Sequence, residues 1–244
     1  MPEQNLRIKE FLMPLFYMDY WYIVLVLPAL IISIWAQYKV KSSYKKFSKV
    51  LNSRHITGAQ AAQAVLSYYG IMDVTIRETG GNLTDNFNPK NKVISLSRSV
   101  FSGTSVAAVG VACHEAGHAA QHAEGYVPIK IRNSILPVCQ LGSTLGIPLA
   151  IVGYFLGFGL LVNVGLLLYA AVFVFQLVTL PVEFNASRRA IDVIEETGLL
   201  IGEESDGARA VLKAAAMTYV AAMLTSLANL LRFIIKLTAN SRRR

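Results

Sequence analysis

Between Arg132 and Glu183 the chain reads NSILPVCQLGSTLGIPLAIVGYFLGFGLLVNVGLLLYAAVFVFQLVTLPV, residues Asn133 to Val182, fifty positions without one Asp, Glu, Lys or Arg. A helix needs about 20 apolar residues to cross a hydrocarbon core of about 30 Å, so this stretch predicts two crossings and marks a mostly α membrane protein. The division falls at Gly157-Phe158-Gly159, since glycine tolerates the dihedrals of a tight connection. That places helices over about 135–156 and 160–180. Gly142 with Gly146, and Gly153 with Gly157, stand four apart, the spacing at which small residues let membrane helices approach closely.

Upstream, Tyr20 to Tyr38 is uncharged, and its core from Trp21 to Ala36 carries aromatics at both ends, as a span with an aromatic belt does. No basic region precedes it and a Lys-rich tract follows it, so it reads as a retained span and not as a cleaved leader. Downstream, Ala214 to Leu231 is uncharged over 18 residues but Ala-rich and interrupted by Thr218, Thr225, Ser226 and Asn229. It predicts a fourth span over 213–237, narrowly favoured over a helix lying at the interface. The expected organisation is an N-terminal segment 1–19, a span 20–38, a polar region 39–132, a hairpin 133–182, a helical segment 183–212, the fourth tract and a basic tail 238–244.

The whole chain agrees: 54% of its 244 residues are hydrophobic and 16% charged, against roughly 25% charged in a soluble domain. The net charge of +8 fits membrane topology and calls for no nucleic acid partner. Lys39, Lys41, Lys45, Lys46, Lys49 and Arg54 follow the first span, against Arg7 and Lys9 before it, so the segment after that span faces the cytoplasm. The hairpin returns the chain to the same side at Glu183, where Arg188 and Arg189 again mark the cytoplasm. A fourth span sends the basic tail, Arg242 to Arg244, outward, against the same rule. Two cysteines in apolar surroundings, Cys113 and Cys139, exclude a disulfide scaffold.

The polar region reads as mixed helix and strand. Thr57-Gly-Ala-Gln60 has capping-box spacing and opens an Ala-rich helix that ends at Gly70. Val74 to Glu78 and Lys92 to Leu96 alternate with period two and predict two short strands, separated by a long polar loop that includes Asn82 and Pro89. A long helix follows, N-capped by Ser102 or Thr104, running to about Glu124 and stopped by Gly125.

On that helix stands His114-Glu115-Ala116-Gly117-His118. Histidines at i and i+4 project from one face one turn apart, which is zinc-ligand geometry. Glu115 lies beside that face, where it can take a proton from a water that the metal acidifies. His122 lies a full turn beyond His118 and suits a structural or supporting role, Cys113 points away and reads as a core residue, and His55 has no role. A catalytic zinc normally has three protein ligands. The downstream carboxylates are Glu124, Glu183, Asp192, Glu195, Glu196, Glu203, Glu204 and Asp206; topology favours Glu183, the first off the hairpin, opening a helical stretch with Ser187 one turn along.

These strings resemble the YugP-like neutral zinc metallopeptidases of prokaryotic membranes, and more distantly the HtpX-like and CAAX-prenyl-protease metallopeptidases. The resemblance rests on Cys113 to Ala123, Asn91 to Ser97, Leu180 to Ala190 and Lys213 to Val220. It implies a small α+β zincin-like (gluzincin) catalytic region on three to four transmembrane helices, and one zinc per chain. The distant relatives carry Glu-x-x-Ala-Asp after a membrane hairpin; Glu183 to Ser187 matches it with serine in place of aspartate, and Asn185 lies within it. The resemblance also implies that a peptide lies along the strand holding Val93, Ile94 and Ser95, taken as an edge strand.

The resulting reading is a membrane-anchored zinc endopeptidase facing the cytoplasm, with His114, His118 and Glu183 as metal ligands, Glu115 as general base, and a peptide or protein, including membrane proteins, as substrate. Arg188 and Arg189 are the reachable oxyanion donors, equally well read as topology markers. A site-two-type intramembrane protease requires the motif within a span, and only about nine apolar residues precede His114. A zinc-stabilised scaffold or transporter component is the non-catalytic rival; a transporter places ionisable groups within its spans, which the hairpin lacks.

Overall fold

A computed structural model describes residues 19–81 and 84–241. Arg7, Lys9, Asn82 and the Arg242 to Arg244 tail, to which parts of the sequence reading refer, lie outside the described residues. In chain order the elements are α1 (Tyr22–Phe47), α2 (Gly58–Tyr68), β1 (Thr75–Thr79), β2 (Asn86–Asn88), β3 (Val93–Ser97), α3 (Arg98–Phe101), α4 (Val106–Ala123), α5 (Val127–Leu156), α6 (Gly159–Glu196) and α7 (Glu203–Ser241). Four of them, α1, α5, α6 and α7, are long and apolar enough to cross a membrane. The uncertain fourth tract is therefore part of a helix of membrane-crossing length.

The chain divides into two compact units. One comprises the residues up to Trp35, Ile131–Val178 and those from Val220 onward. Its surface is apolar, with Leu160 and Leu167 exposed at 77% and 73%, as for side chains whose solvent is lipid. Gly157, at φ 73°, caps α5 and turns the chain into α6, as the sequence predicts. That conformation occupies Gly157 as the turn, so it does not pack as the partner of Gly153. The other glycines do permit close approach: a Cβ on Gly142 would stand 2.0 Å from the Leu168 carbonyl oxygen, and one on Gly165 2.5 Å from the Ala150 nitrogen. Two π turns, at Tyr22–Val26 and Gly142–Gly146, each contain the residue four before a proline, Pro28 and Pro148. The widened turn accommodates a ring that would otherwise meet that carbonyl. At one end of this unit Asp19 pairs with Arg232 at 3.0 Å and with Lys236, and Arg232 stacks on Tyr22.

The second unit comprises Ala36–Lys130 and Thr179–Tyr219. The Thr57 capping box forms as expected, with both reciprocal bonds to Gln60, and α2 packs along α4. The long loop holds a third strand that the sequence reading lacks. β1 runs parallel and β2 antiparallel to β3, in the order β1-β3-β2. This corrects the expectation for Val93, Ile94 and Ser95: their strand is central, both of its sides are occupied, and Ile94 and Ser95 are buried. Beyond β2, Asp85 accepts from the Ser97 backbone N–H at 2.7 Å, closing that side to the end of the strand. The period-two signal identified a strand but not its neighbours, because β2 is only three residues long.

Two further expectations are corrected. The N-cap of α4 is Ser105, whose hydroxyl accepts from Ala108 N–H at 3.2 Å, and not Ser102 or Thr104. Glu183 does not open a helix; α6 continues through Pro181 as one helix of 38 residues. The loss of one backbone donor at Pro181 is tolerated because the flanking apolar faces are held by packing, and Val182 and Ala186 are fully buried.

Candidate metal centre

α4 is a core element. From Val106 to Ala112 its side chains pack into the hydrophobic core of the second unit, Val111 only partly buried. Its first two turns carry no polar side chain; polar groups begin at its middle, where the ring centroids of His114 and His118 lie 4.7 Å apart. α6 crosses there. Gly117 makes the crossing close, since a Cβ at that position would lie 2.7 Å from the Ala186 carbonyl oxygen. Ala186 sits three residues after Glu183, so the same approach delivers the carboxylate to the histidines.

Glu183 Oε2 lies 3.3 Å from His114 Nε2 and 3.5 Å from His118 Nε2, and Glu183 is only 2% exposed. One ligand atom from each residue falls within 4.8 Å of the other two. Two imidazole nitrogens and one carboxylate oxygen converging in this way could hold a metal ion, and their chemistry fits zinc. Burial opposes charge on His118, but hydrogen bonding to Glu183 and the charges of Glu115 and Glu183 outweigh it and raise its pKa.

The far nitrogens are also held. His114 Nδ1 lies 3.1 Å from Ser187 Oγ, and His118 Nδ1 lies 3.0 Å from Gln121 Oε1. Serine at the position where distant relatives carry aspartate thus still reaches a histidine. The Gln121 amide nitrogen donates to the Val182 carbonyl at 2.7 Å and to Asn185 Oδ1 at 2.9 Å. Arg189 Nε donates to the same Asn185 oxygen at 2.8 Å, and its guanidinium pairs with Glu124 at 2.7 Å.

A cavity of about 280 Å³ opens beside His114, Glu115, Glu183 and Ser187. Its opposite wall is mainly apolar, built from Val40 and Tyr44 of α1 and Leu212, Ala215, Ala216 and Tyr219 of α7. The string Lys213 to Val220 thus contributes Ala215, Ala216 and Tyr219 to this wall. Asp85, next to β2, also lines the cavity.

The structure therefore brings together His114, Glu115, His118, Glu183 and Ser187, with Asn185 one contact removed through Gln121. It does not bring Val93, Ile94 or Ser95 to the cavity. His122 is exposed and meets Phe87 edge to face, at 5.9 Å between ring centroids. Cys113 is fully buried, and burial pushes its thiol pKa up. Arg188 is exposed and faces Asp192, while Arg189 faces Asn185 and Glu124, and neither lines the cavity. Gln121 and the α1 and α7 walls are missing from the sequence reading. Gln121 was findable, because three residues after His118 it shares that histidine's helical face; the walls have no such local signal.

Among the described residues, four helices of membrane-crossing length accompany a His–His–Glu cluster that could hold a metal ion beside a cavity, the features of a membrane protein with a candidate metal centre. The model of the family described as "Putative neutral zinc metallopeptidase" matches residues 22–238, and the chain belongs to that family. It is 45% identical over 214 residues, 88% of this chain and 95% of the relative, to a Bacillus subtilis (strain 168) protein named "Putative membrane protease YugP". No solved structure matches the chain.

Proposed function

We propose that the chain is a membrane-anchored zinc endopeptidase with a gluzincin-like site, in which His114, His118 and Glu183 hold one zinc ion and Glu115 is the general base. The convergence of the three ligand atoms within 4.8 Å, beside a cavity that Glu115 also lines, carries this reading. When bound, zinc supplies Lewis acidity, polarising a peptide carbonyl and making water a competent nucleophile near neutral pH. Glu115 takes the proton from the attacking water and passes it to the departing amine. Glu183 neutralises part of the ion's charge, and Ser187 orients His114.

The cavity's apolar wall suits a peptide with an apolar side chain beside the scissile bond. With β3 enclosed, an extended substrate pairs with the free edge of β2, whose neighbour Asp85 lines the cavity. Four crossings put 39–126 and 183–212 on one side, as the proximity of His114 to Glu183 demands. They also put the start of α1 and the last turns of α7 on one side, which agrees with the pairing of Asp19 with Arg232. That pairing offsets positive charge at the outward end, and the basic residues that follow the first apolar tract, Lys39 to Lys49, support a site facing the cytoplasm.

The test is zinc content and proteolysis of detergent-purified protein. Wild type and Glu115→Gln are expected to hold near-stoichiometric zinc, and His114→Ala and Glu183→Ala to lose it; only wild type cleaves an unfolded protein such as casein. Zinc retained without Glu183 refutes that ligand, and Glu115→Gln cleaving at the wild-type rate refutes the base.

A further inference from the structure

We propose that Gln121 is the positioning residue of the metal centre: it sets the tautomer of His118 and ties that ligand to the turn of α6 bearing Glu183, with Asn185 and Arg189 holding its amide in place. The inference rests on the metal reading above and concerns residues outside the ligand set.

The polarity of the hydrogen bonds makes the argument. A backbone carbonyl only accepts and a guanidinium only donates. The group 2.7 Å from the Val182 oxygen must therefore be the amide nitrogen of Gln121, and the atom 2.8 Å from Arg189 Nε must be the amide oxygen of Asn185. The remaining contact, Gln121 Nε2 to Asn185 Oδ1 at 2.9 Å, is consistent with both assignments. Gln121 is thus left with its oxygen toward His118 at 3.0 Å, so Nδ1 of that ring carries the proton. Nε2 is then the ring nitrogen left to face Glu183 Oε2, 3.5 Å away, where a cation would take the place of its proton.

A flipped amide or the other tautomer would point an N–H at the cation position. Gln121 is fully buried, so water cannot replace any of its three partners. Val182 immediately precedes Glu183, so one side chain couples the ring of one ligand to the backbone of another. Arg189 is in turn fixed by Glu124 and by the Tyr69 ring, 5.4 Å from its guanidinium carbon.

The experiment measures zinc affinity by chelator competition on the full-length protein, together with thermal unfolding of the zinc-free form. Gln121→Met, close in shape, is expected to weaken zinc binding by about 10- to 100-fold, the usual effect of losing a group that orients a ligand. Arg189→Met, at the rim and without change to the buried amide, is expected to weaken it about fivefold, as for one hydrogen bond of the chain. Adding Asn185→Asp to Arg189→Met is expected to restore affinity, because a carboxylate accepts from Gln121 without a guanidinium to orient it. A role for Arg189 in packing alone would show no such rescue. Wild-type affinity in Gln121→Met overturns the proposal, and so does a loss in Arg189→Met that Asn185→Asp leaves uncorrected. A wild type that takes up no zinc, or His118→Ala that keeps it, refutes the metal centre itself; the other results bear on positioning only.

Discussion

Gly117→Ala is a one-carbon change with a result that the structure allows us to work out. A Cβ at residue 117 would lie 2.7 Å from the Ala186 carbonyl oxygen and 3.3 Å from its carbon, both backbone atoms that no rotamer can move. Restoring an ordinary contact of 3.4 Å or more requires α4 and α6 to separate locally by about 0.7 Å. Zinc–ligand distances hold to within about 0.2 Å, so a shift of that size exceeds what His118 on one helix and Glu183 on the other can absorb. We expect zinc affinity to fall at least tenfold, on the order of the loss seen when a metal site's support is removed. Overpacking costs about 1–3 kcal/mol, and the helix propensity gained over glycine returns up to about 1 kcal/mol, so the zinc-free variant stays folded. The control is Gly110→Ala on the same helix, where the added carbon stands 3.3 Å from Ala208 Cβ and no nearer than 3.5 Å to its backbone; it should keep wild-type zinc. Chelator competition and thermal unfolding with and without zinc read both quantities. Wild-type zinc affinity in Gly117→Ala would refute the claim that this backbone contact sets the ligand spacing.

Three other outcomes are expected. Ala215→Phe, which fills part of the cavity without touching a ligand, should keep zinc and cut cleavage next to bulky apolar residues by roughly 10- to 200-fold relative to cleavage next to glycine, read from a peptide library. Cys113, buried in the core with its thiol pKa raised, should resist iodoacetamide in the native protein and react once it is unfolded, measured by mass spectrometry in a Cys139→Ser background. Asp19→Asn should lower stability by about 1–2 kcal/mol by leaving Arg232 and Lys236 without their carboxylate. Burial opposes the Asp19 charge, but hydrogen bonds from Arg232 and Lys236 hold its pKa below the usual 3.8. Its contribution is therefore fully present above that pH and lost as the pH falls below it, so the difference between wild type and Asp19→Asn should vanish in strong acid. Equal unfolding temperatures at neutral pH would contradict this assignment.

Much of the site is legible in the chain because its signals are local. The i and i+4 spacing of His114 and His118 is a property of one helix, and the charge-free run to Val182 reports the solvent around it. The turn at Gly157 and the capping box at Thr57 are likewise decided within a few residues. Glu183 was favoured by topology among eight carboxylates, yet its place within a continuous helix was not foreseen, because the end of the charge-free run at Val182 suggested that a new helix starts there. The central position of β3 was missed because a three-residue strand leaves almost no periodic signal.

By itself, then, the sequence determined that apolar helices of membrane-crossing length flank a polar region, and that one of its helices carries two histidines and a glutamate in metal-site spacing. Those features follow from hydropathy and helical pitch, which act along the chain. Only the tertiary structure decided that Glu183 meets the histidines across the Gly117 crossing, that the Gln121 amide meets the Val182 carbonyl and Asn185, and that the apolar face of α7 walls the cavity. Those depend on the approach of segments some sixty to a hundred residues apart, and no local propensity encodes that distance.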